Sequence, residues 1–573
     1  MTDTERPWTA FYGPSVRKDI GPSQYRSVGD LVSATAHLYG KAPAFTACLA
    51  NGMNGTLTFE QVDEMSDALA IYLRETAGLE KGDRVALQVP NGLSFPVAAF
   101  AVMKAGCVLV NVNPLYTAEE MAKQFADAEP SALIVVDMFA DKLPGAIKGH
   151  PIPNIIVTQV AEFLPAAPRG IVRLVQKYWD KTLQPIDLAH IRLPDAIAAG
   201  RSIRTEKSVV VEKYRADVSP DDVACLQYTG GTTGVSKGAM LSHANLIMNM
   251  EQTMELIKGV EKGKEVVLTA LPMYHVFAFT VNLLGFYWLG ARNILIPNPR
   301  PLSNLKRAFE NYKITWMSGV NTLFNGLSNE VWFLDTPPKH LKFASAGGMA
   351  LQSAVAKRWE EVTGTPVLEG YGLTESSPIL TFNPLGKTRV GSIGIPLPST
   401  HVRCVDEQGV PVPQGEAGEI VAKGPQIMKG YWRKPEETDK TMRDGWLLTG
   451  DIGVMDPDGY FRIVDRKKDM ILVSGFNVYP NEIEECLTQH PGVSEAAVIG
   501  VPDGVAGEKI KAFVVLHDDS ISGEELRAYC KEHLTAYKVP KIVEARTDLP
   551  KSNVGKILRK DLRLEEEQEN SAA

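Results

Sequence analysis

Cysteine is scarce: Cys48, Cys107, Cys225, Cys404, Cys486 and Cys530 are the only six in 573 residues, with no CxxC or zinc-like pairing. That excludes a disulfide scaffold, and their mostly apolar flanks predict reduced thiols in the core. An excess of positive charge is also missing. Sixty Lys and Arg stand against 68 Asp and Glu, a net charge of −8, which argues against a nucleic-acid partner held by general electrostatics. No apolar run has membrane-spanning length; the most apolar long stretch, residues 95–112, is interrupted by Lys104 and Gly106. The N-terminal Met-Thr-Asp-Thr-Glu-Arg-Pro-Trp lacks the basic and apolar parts of a secretory signal, so a cytoplasmic location is expected. A Walker A loop, G-x-x-x-x-G-K-[ST], is absent, which argues against an ordinary P-loop NTPase.

What is present begins with length. A chain of this size, 44% hydrophobic and 22% charged, is expected to form two or more globular domains. Between Thr229 and Gly238 stand four glycines, three threonines, one serine and one lysine. Glycine lets a backbone approach a ligand closely, and successive amides with hydroxyls and a lysine make a phosphate cradle. Such a stretch in isolation is most often a solvated loop. The apolar residues Val223–Leu226 read as a buried strand before it, and Leu241–Met254 as a helix after it, with Ser242 near its start.

Elsewhere the pattern alternates. Thr58–Arg74 reads as an amphipathic helix opened by a Thr58/Gln61 capping box, Arg84–Val89 as a strand and Ser94–Ala105 as a helix. Cys107–Asn111 and Ala132–Val136 follow as strands around a helix at Thr117–Ala126. Strands alternating with helices imply mostly parallel sheets flanked by helices. Toward the C-terminus, strands at Ala496–Val501 and Ile510–Leu516 with a helix at Ser522–Leu534 give a compact α+β unit, and the polar tail from Glu565 reads as frayed.

Residues 169–184 carry Arg169, Arg173, Lys177 and Lys181 four apart, beside Ile171, Leu174, Val175, Tyr178, Trp179 and Leu183. Two readings stand: a surface helix packed on its own domain, or a helix lying at an anionic membrane face.

Six further stretches follow in order: Pro-Met-Tyr-His at 272–275 before an apolar run, Phe-Ala-Ser-Ala-Gly-Gly-Met at 343–349, and Glu-Gly-Tyr-Gly-Leu-Thr-Glu at 369–375. Then come Gly-Trp-Leu-Leu-Thr-Gly-Asp at 445–451 and a charged run from Asp465 to Glu484, with Leu-Pro-Lys-Ser-Asn-Val-Gly-Lys near the end. Together with the glycine-rich loop, over residues 30–563, they resemble the adenylate-forming superfamily of acyl-CoA synthetases and luciferases, and most of all bacterial long-chain fatty acid–CoA ligases.

That resemblance implies an α/β fold. A large multi-layered N-terminal domain (1–466) would be followed by a small mobile α+β C-terminal domain (467–573), with a hinge near Lys468. It implies ATP, Mg²⁺ and coenzyme A as reactants or cofactors, a fatty acid as substrate, no nucleic acid, and a homodimer. Thr229, Gly230, Gly231, Thr232, Thr233, Gly234 and Lys237 would hold phosphates. Gly347, Gly348, Glu369, Gly370, Tyr371 and Thr374 would surround the nucleotide, and Asp451, Arg466 and Lys468 would reach its ribose side. Thr229 and Glu375 would hold the metal, an assignment suited to oxygen ligands. His275 and Phe279 would line the acyl pocket, with His275 and Lys556 catalytic and Gly475 on the coenzyme path. Two alternatives stay open: an adenylating enzyme for a shorter or aromatic acid or a carrier-protein acceptor, and a non-catalytic nucleotide- or membrane-binding protein. The insertion that fatty acyl-AMP ligases carry after the hinge motif is not visible between Ile471 and Glu482, which favours coenzyme A.

Overall fold

The computed structural model describes residues 6–183, 186–229, 236–257, 259–473, 476–503, 507–517, 521–552 and 555–572, which form four sheets. The seven-stranded sheet runs Ile191–Arg192, Asn154–Thr158, Ala132–Val136, Arg84–Gln88, Val108–Asn111, Val223–Thr229, Lys237–Ser242. Its pairs are parallel except the last, an antiparallel hairpin. Helices cover both faces of such a sheet, which is why Ala132–Val136 is apolar and buried at every position rather than alternating. The nine-stranded sheet has a parallel centre that includes Trp316–Gly319, Phe343–Ala346 and Val367–Gly372, and antiparallel pairs at its edges.

One core joins the two sheets: Phe45 from the nine-stranded sheet and Leu87 from the seven-stranded one pack with Leu69 and Phe100 of the helices Phe59–Glu75 and Ser94–Lys104. The capping box at Thr58 and Gln61 is formed. Ser94–Lys104 is buried along its whole length, which accounts for its apolar sequence. Its one charge, Lys104, meets Asp63 at 2.5 Å and Asp67 at 2.6 Å, as a buried ammonium must. Among the described residues no helix is long and apolar enough to cross a membrane. All six cysteines are free and buried.

A third, antiparallel sheet contains Gly418–Lys423, Trp446–Met455 and Phe461–Arg466. After a tight turn at Lys467–Asp469 the chain enters the fourth sheet, built on the long hairpin Val493–Asp503 and Gly507–Leu516. The helices Pro480–Gln489, Gly523–His533 and Arg559–Ala572 accompany it.

Three local expectations are corrected. The helix expected from Leu241 begins at His243. Lys237–Ser242 is a strand paired to Val223–Thr229, and Ser242 caps the helix through Asn245. The tail expected to fray is helical from Arg559 to Ala572, held by ion pairs such as Lys511 with Glu566 and Arg546 with Glu565 at 2.8 Å. The apolar run after His275 is helical, but its Phe279–Phe286 segment is a π-helix, fully buried.

The basic helix spans Ala166–Tyr178 and lies on the surface in an unusual orientation. Only Gln176 is buried, and Val172 packs inward. Arg169 turns to the buried Glu162, and Arg173 to Gln159. Ile171, Leu174, Val175 and Tyr178, spaced as one helical stripe, face outward with Trp179, which is 85% exposed.

Candidate active site

The antiparallel register sets Thr229 opposite Lys237, at the ends of the two strands that flank the glycine-rich stretch. Ser236 Oγ donates to the Thr229 carbonyl at 2.8 Å. Gly230, Gly231, Thr232, Thr233 and Gly234 lie outside the described residues, as does Gly475. The Thr374–Ser376 turn, which carries Glu375, packs against both strands of this hairpin. One Glu375 oxygen accepts the Tyr431 hydroxyl at 2.6 Å. The Thr229 hydroxyl and the Glu375 carboxylate are hard oxygen donors of the kind that Mg²⁺ takes.

Val367–Gly372 carries Gly370, Tyr371 and Gly372 past the returning strand Ile379–Phe382. The glycines follow from close approach. A Cβ at Gly372 would stand 1.8 Å from the Pro378 carbonyl oxygen, and one at Gly370 would stand 2.6 Å from the Phe382 ring. The Tyr371 hydroxyl donates to Asp451 Oδ2 at 2.6 Å, and Arg466 Nε lies 3.1 Å from Asp451 Oδ1. Sheet register explains the second contact, since Asp451 and Arg466 are directly paired across neighbouring strands. The nearly buried Asp451 is thus oriented from two sides. Glu369 behaves differently: its carboxyl accepts the Leu351 amide at 3.0 Å, and burial pushes it up to about 8, so it is protonated at neutral pH.

Gly347 and Gly348 follow the Phe343–Ala346 strand, and Gly347 lies against the Phe277 ring and the Gly370 carbonyl. His275 caps the apolar helix by accepting the Phe277 amide at its Nδ1, 3.4 Å away. Burial, and secondarily the charge of Lys556, push its imidazole down to about 4, so the ring is neutral at physiological pH. Phe279, one turn on, donates its amide to the His275 carbonyl at 3.0 Å and is completely buried.

Lys556 arrives from the far end of the chain. Its loop docks on the Asn321–Leu327 helix, where Thr322 Oγ1 donates to the Gly555 carbonyl at 3.3 Å. Gly555 has φ +82°, and a Cβ there would stand 2.6 Å from Thr322 Oγ1. Burial, then Arg466, push the Lys556 ammonium down to about 7, against the opposing pull of Asp451. Lys468, in the turn between the third and fourth sheets, is likewise pushed below its usual value by burial and Arg466. Around that turn Arg559 pairs with Asp465 at 3.1 Å and Glu484 at 2.6 Å. The structure therefore brings His275, Tyr371, Asp451, Arg466, Lys468 and Lys556 together.

Tyr431 and Glu437 were not singled out from the sequence. Tyr431 contacts Glu375, and Glu437 forms an ion pair with Lys237. The available signal was the Gly430-Tyr431-Trp432 triplet, an aromatic pair inside an otherwise charged loop.

The model of the AMP-binding enzyme family matches residues 32–432, and that of the AMP-binding enzyme C-terminal domain matches residues 482–556. A long-chain-fatty-acid–CoA ligase of Yersinia pestis is 48% identical over 566 residues, covering 98% of both chains. The solved structure of the anthranilate CoA ligase AuaEII with anthranoyl-AMP superposes with a TM-score of 0.84 at 25% identity, covering 96% of this chain and 99% of that one. ATP-bound MatB from Rhodopseudomonas palustris gives 0.78 at 29% identity, covering 94% and 98%.

Proposed function

The chain belongs to the AMP-binding enzyme family, and from that premise we propose that it is a long-chain fatty acid–CoA ligase that forms AMP. One observation carries the reading: the neutral His275, the Asp451–Arg466 pair and Lys556 converge beside a buried apolar helix. That arrangement offers charge for a polyphosphate and hydrocarbon for an alkyl chain.

In the first step a carboxylate oxygen of the acid bonds to the α-phosphorus of ATP. The bond from that phosphorus to pyrophosphate breaks, and its electron pair leaves with pyrophosphate. Two anions must meet, so the site has to neutralise charge and fix geometry. Lys237 and the glycine-rich loop, with Gly230, Gly231, Thr232, Thr233 and Gly234, take the outer phosphates. Asp451 and Arg466 orient the ribose, Tyr371 with Gly347 and Gly348 holds the base, and Lys556 meets the α-phosphate. Thr229 and Glu375 would hold magnesium, which would supply further charge neutralisation at the phosphates. In the second step the coenzyme A thiolate adds to the acyl carbon and the carbon–oxygen bond to AMP breaks. We place the domain boundary at 466/467. The C-terminal domain turns about Lys468 between steps, withdrawing Lys556 and presenting Gly475 to the coenzyme.

AMP release with ATP, Mg²⁺ and coenzyme A, measured against C4, C8, C12, C16 and C18 fatty acids and one aromatic acid, tests this reading. A coenzyme-dependent maximum between C12 and C18 is expected. A maximum with the aromatic acid would overturn it in favour of the chemistry of the anthranilate ligase.

The helix Ala166–Tyr178 extends the proposal to peripheral membrane contact. Its outward stripe would enter the lipid surface while Lys177 and Lys181 flank it at headgroup level. With each cation contributing about 1 kcal/mol at an anionic surface, Arg173/Lys177/Lys181→Ala should weaken binding to phosphatidylglycerol vesicles by roughly 10–100-fold. Unchanged binding would remove this part of the reading.

A further inference from the structure

Tyr431 stands between two residues of the phosphate end. Its ring faces the Lys237 ammonium at 5.2 Å, and its hydroxyl holds Glu375. The same ammonium is ion-paired with Glu437, whose other oxygen meets Lys440 at 2.7 Å. Glu437 lies on the short helix Pro435–Thr441, which Thr438 Oγ1 fastens to the Tyr431 amide at 2.9 Å. The two lysines, Lys237 foremost, draw the Glu437 carboxyl down to about 2.

We infer that Glu437 is an internal stand-in for phosphate: it holds Lys237 while the polyphosphate site is open, yields it to the β- and γ-phosphates of the nucleotide, and recaptures it as pyrophosphate leaves. This rests on the reading of Lys237 as a phosphate contact. Three features favour exchange over a fixed structural pair. The Lys237 and Glu437 side chains keep 19% and 32% of their exposure, so an incoming anion reaches both. Lys440 remains on Glu437 after Lys237 departs, so the exchange strands no bare carboxylate. The Tyr431 ring gives the moving ammonium a constant neighbour. A polyphosphate carries more charge than one carboxylate, so the trade runs toward the nucleotide, less the value of the pair given up.

Glu437 should therefore weaken any ligand with phosphates beyond the α position and leave AMP untouched. Calorimetric titration of the full chain with α,β-methylene-ATP, pyrophosphate and AMP reads this directly. Glu437→Gln should tighten the first two by about 2–5-fold, the span of a partly exposed ion pair, and leave AMP unchanged. Glu437→Asp should stay near the parent. In a Lys237→Met background the Glu437→Gln gain should vanish, because the cycle isolates the pair. Weaker binding in Glu437→Gln, an equal gain for AMP, or a gain that persists without Lys237 would overturn the inference. If Lys237→Met alone leaves all three affinities unchanged, the phosphate assignment of Lys237 falls first and takes this inference with it.

Discussion

Lys237 and Lys556, the two lysines that the proposed function gives to the phosphates, come from two different sheets and are held in contrasting ways. Lys237, at the hairpin edge of the seven-stranded sheet, rests against Glu437 and the Tyr431 ring. Lys556, on a loop beyond the fourth sheet, meets burial and the cations Arg466 and Lys468, with Asp451 as the counterweight. Backbone docking, through Gly555 on Thr322 and Ser552 to Lys556, holds it there instead of a dedicated carboxylate. The first lysine is electrostatically at rest before any ligand arrives. The second is placed where its charge is unfavourable until negative charge enters, so its position and the nucleotide should be coupled.

The sharpest break of this contrast is Lys556→Ala. Loss of one well-placed electrostatic contact costs about 10²–10³ in rate, and the loss should appear in pyrophosphate release. Thioester formation from supplied acyl-AMP should be spared; equal loss in both half-reactions would erase the distinction. Lys237→Met should act mainly through ATP. Removing a charged hydrogen bond worth about 1.5–3 kcal/mol raises the KM for ATP by roughly 10–100-fold, again without slowing the thioester step.

The pH dependence separates the two lysines next. Lys556 is charged below about 7, so kcat/KM for adenylation should fall as pH rises through that value, approaching tenfold per unit. Lys556→Arg, charged throughout, should lose that limb, and a limb that persists assigns the titration to another group. The smallest effect tests burial alone, at Glu369. Its folded value of about 8 lies above the ordinary 4.3 or so, so the protonated carboxyl favours the fold fully below pH 4.3. That contribution is lost as pH rises through 8. Glu369→Gln should therefore raise the Tm by about 1–3 °C at pH 9 and by less at pH 5. A pH-independent difference would mean that burial does not govern this end of the site.

How much of this was readable in the chain depended on the range of the contact. The alternation of strand and helix gave the parallel sheets, and Asp451 and Arg466 sit within one antiparallel pair, so their motifs lay close in sequence as well as in space. The Lys237–Glu437 pair spans 200 residues and one partner sits on a short helix of ordinary charged character, so nothing local marks it. Leu241 and Ser242 looked like the start of the helix because an apolar residue beside a capping serine fits either period; only the pairing with Val223–Thr229 decides for strand. The Ala166–Tyr178 helix shows the converse limit. Its periodicity was plain, but which stripe faces inward was set by Glu162 and Gln159, residues outside the helix.

The buried cysteines have a practical consequence for testing the proposed turn of the C-terminal domain. With every native thiol inside a core, maleimide dyes should find no target on the folded chain. A pair introduced at two exposed positions, Glu407→Cys beside the third sheet and Lys531→Cys on the C-terminal domain, then becomes the sole labelling chemistry. Donor–acceptor distance across that pair could be followed one molecule at a time as ATP, fatty acid and coenzyme A are added, in a protein that keeps all six of its own cysteines.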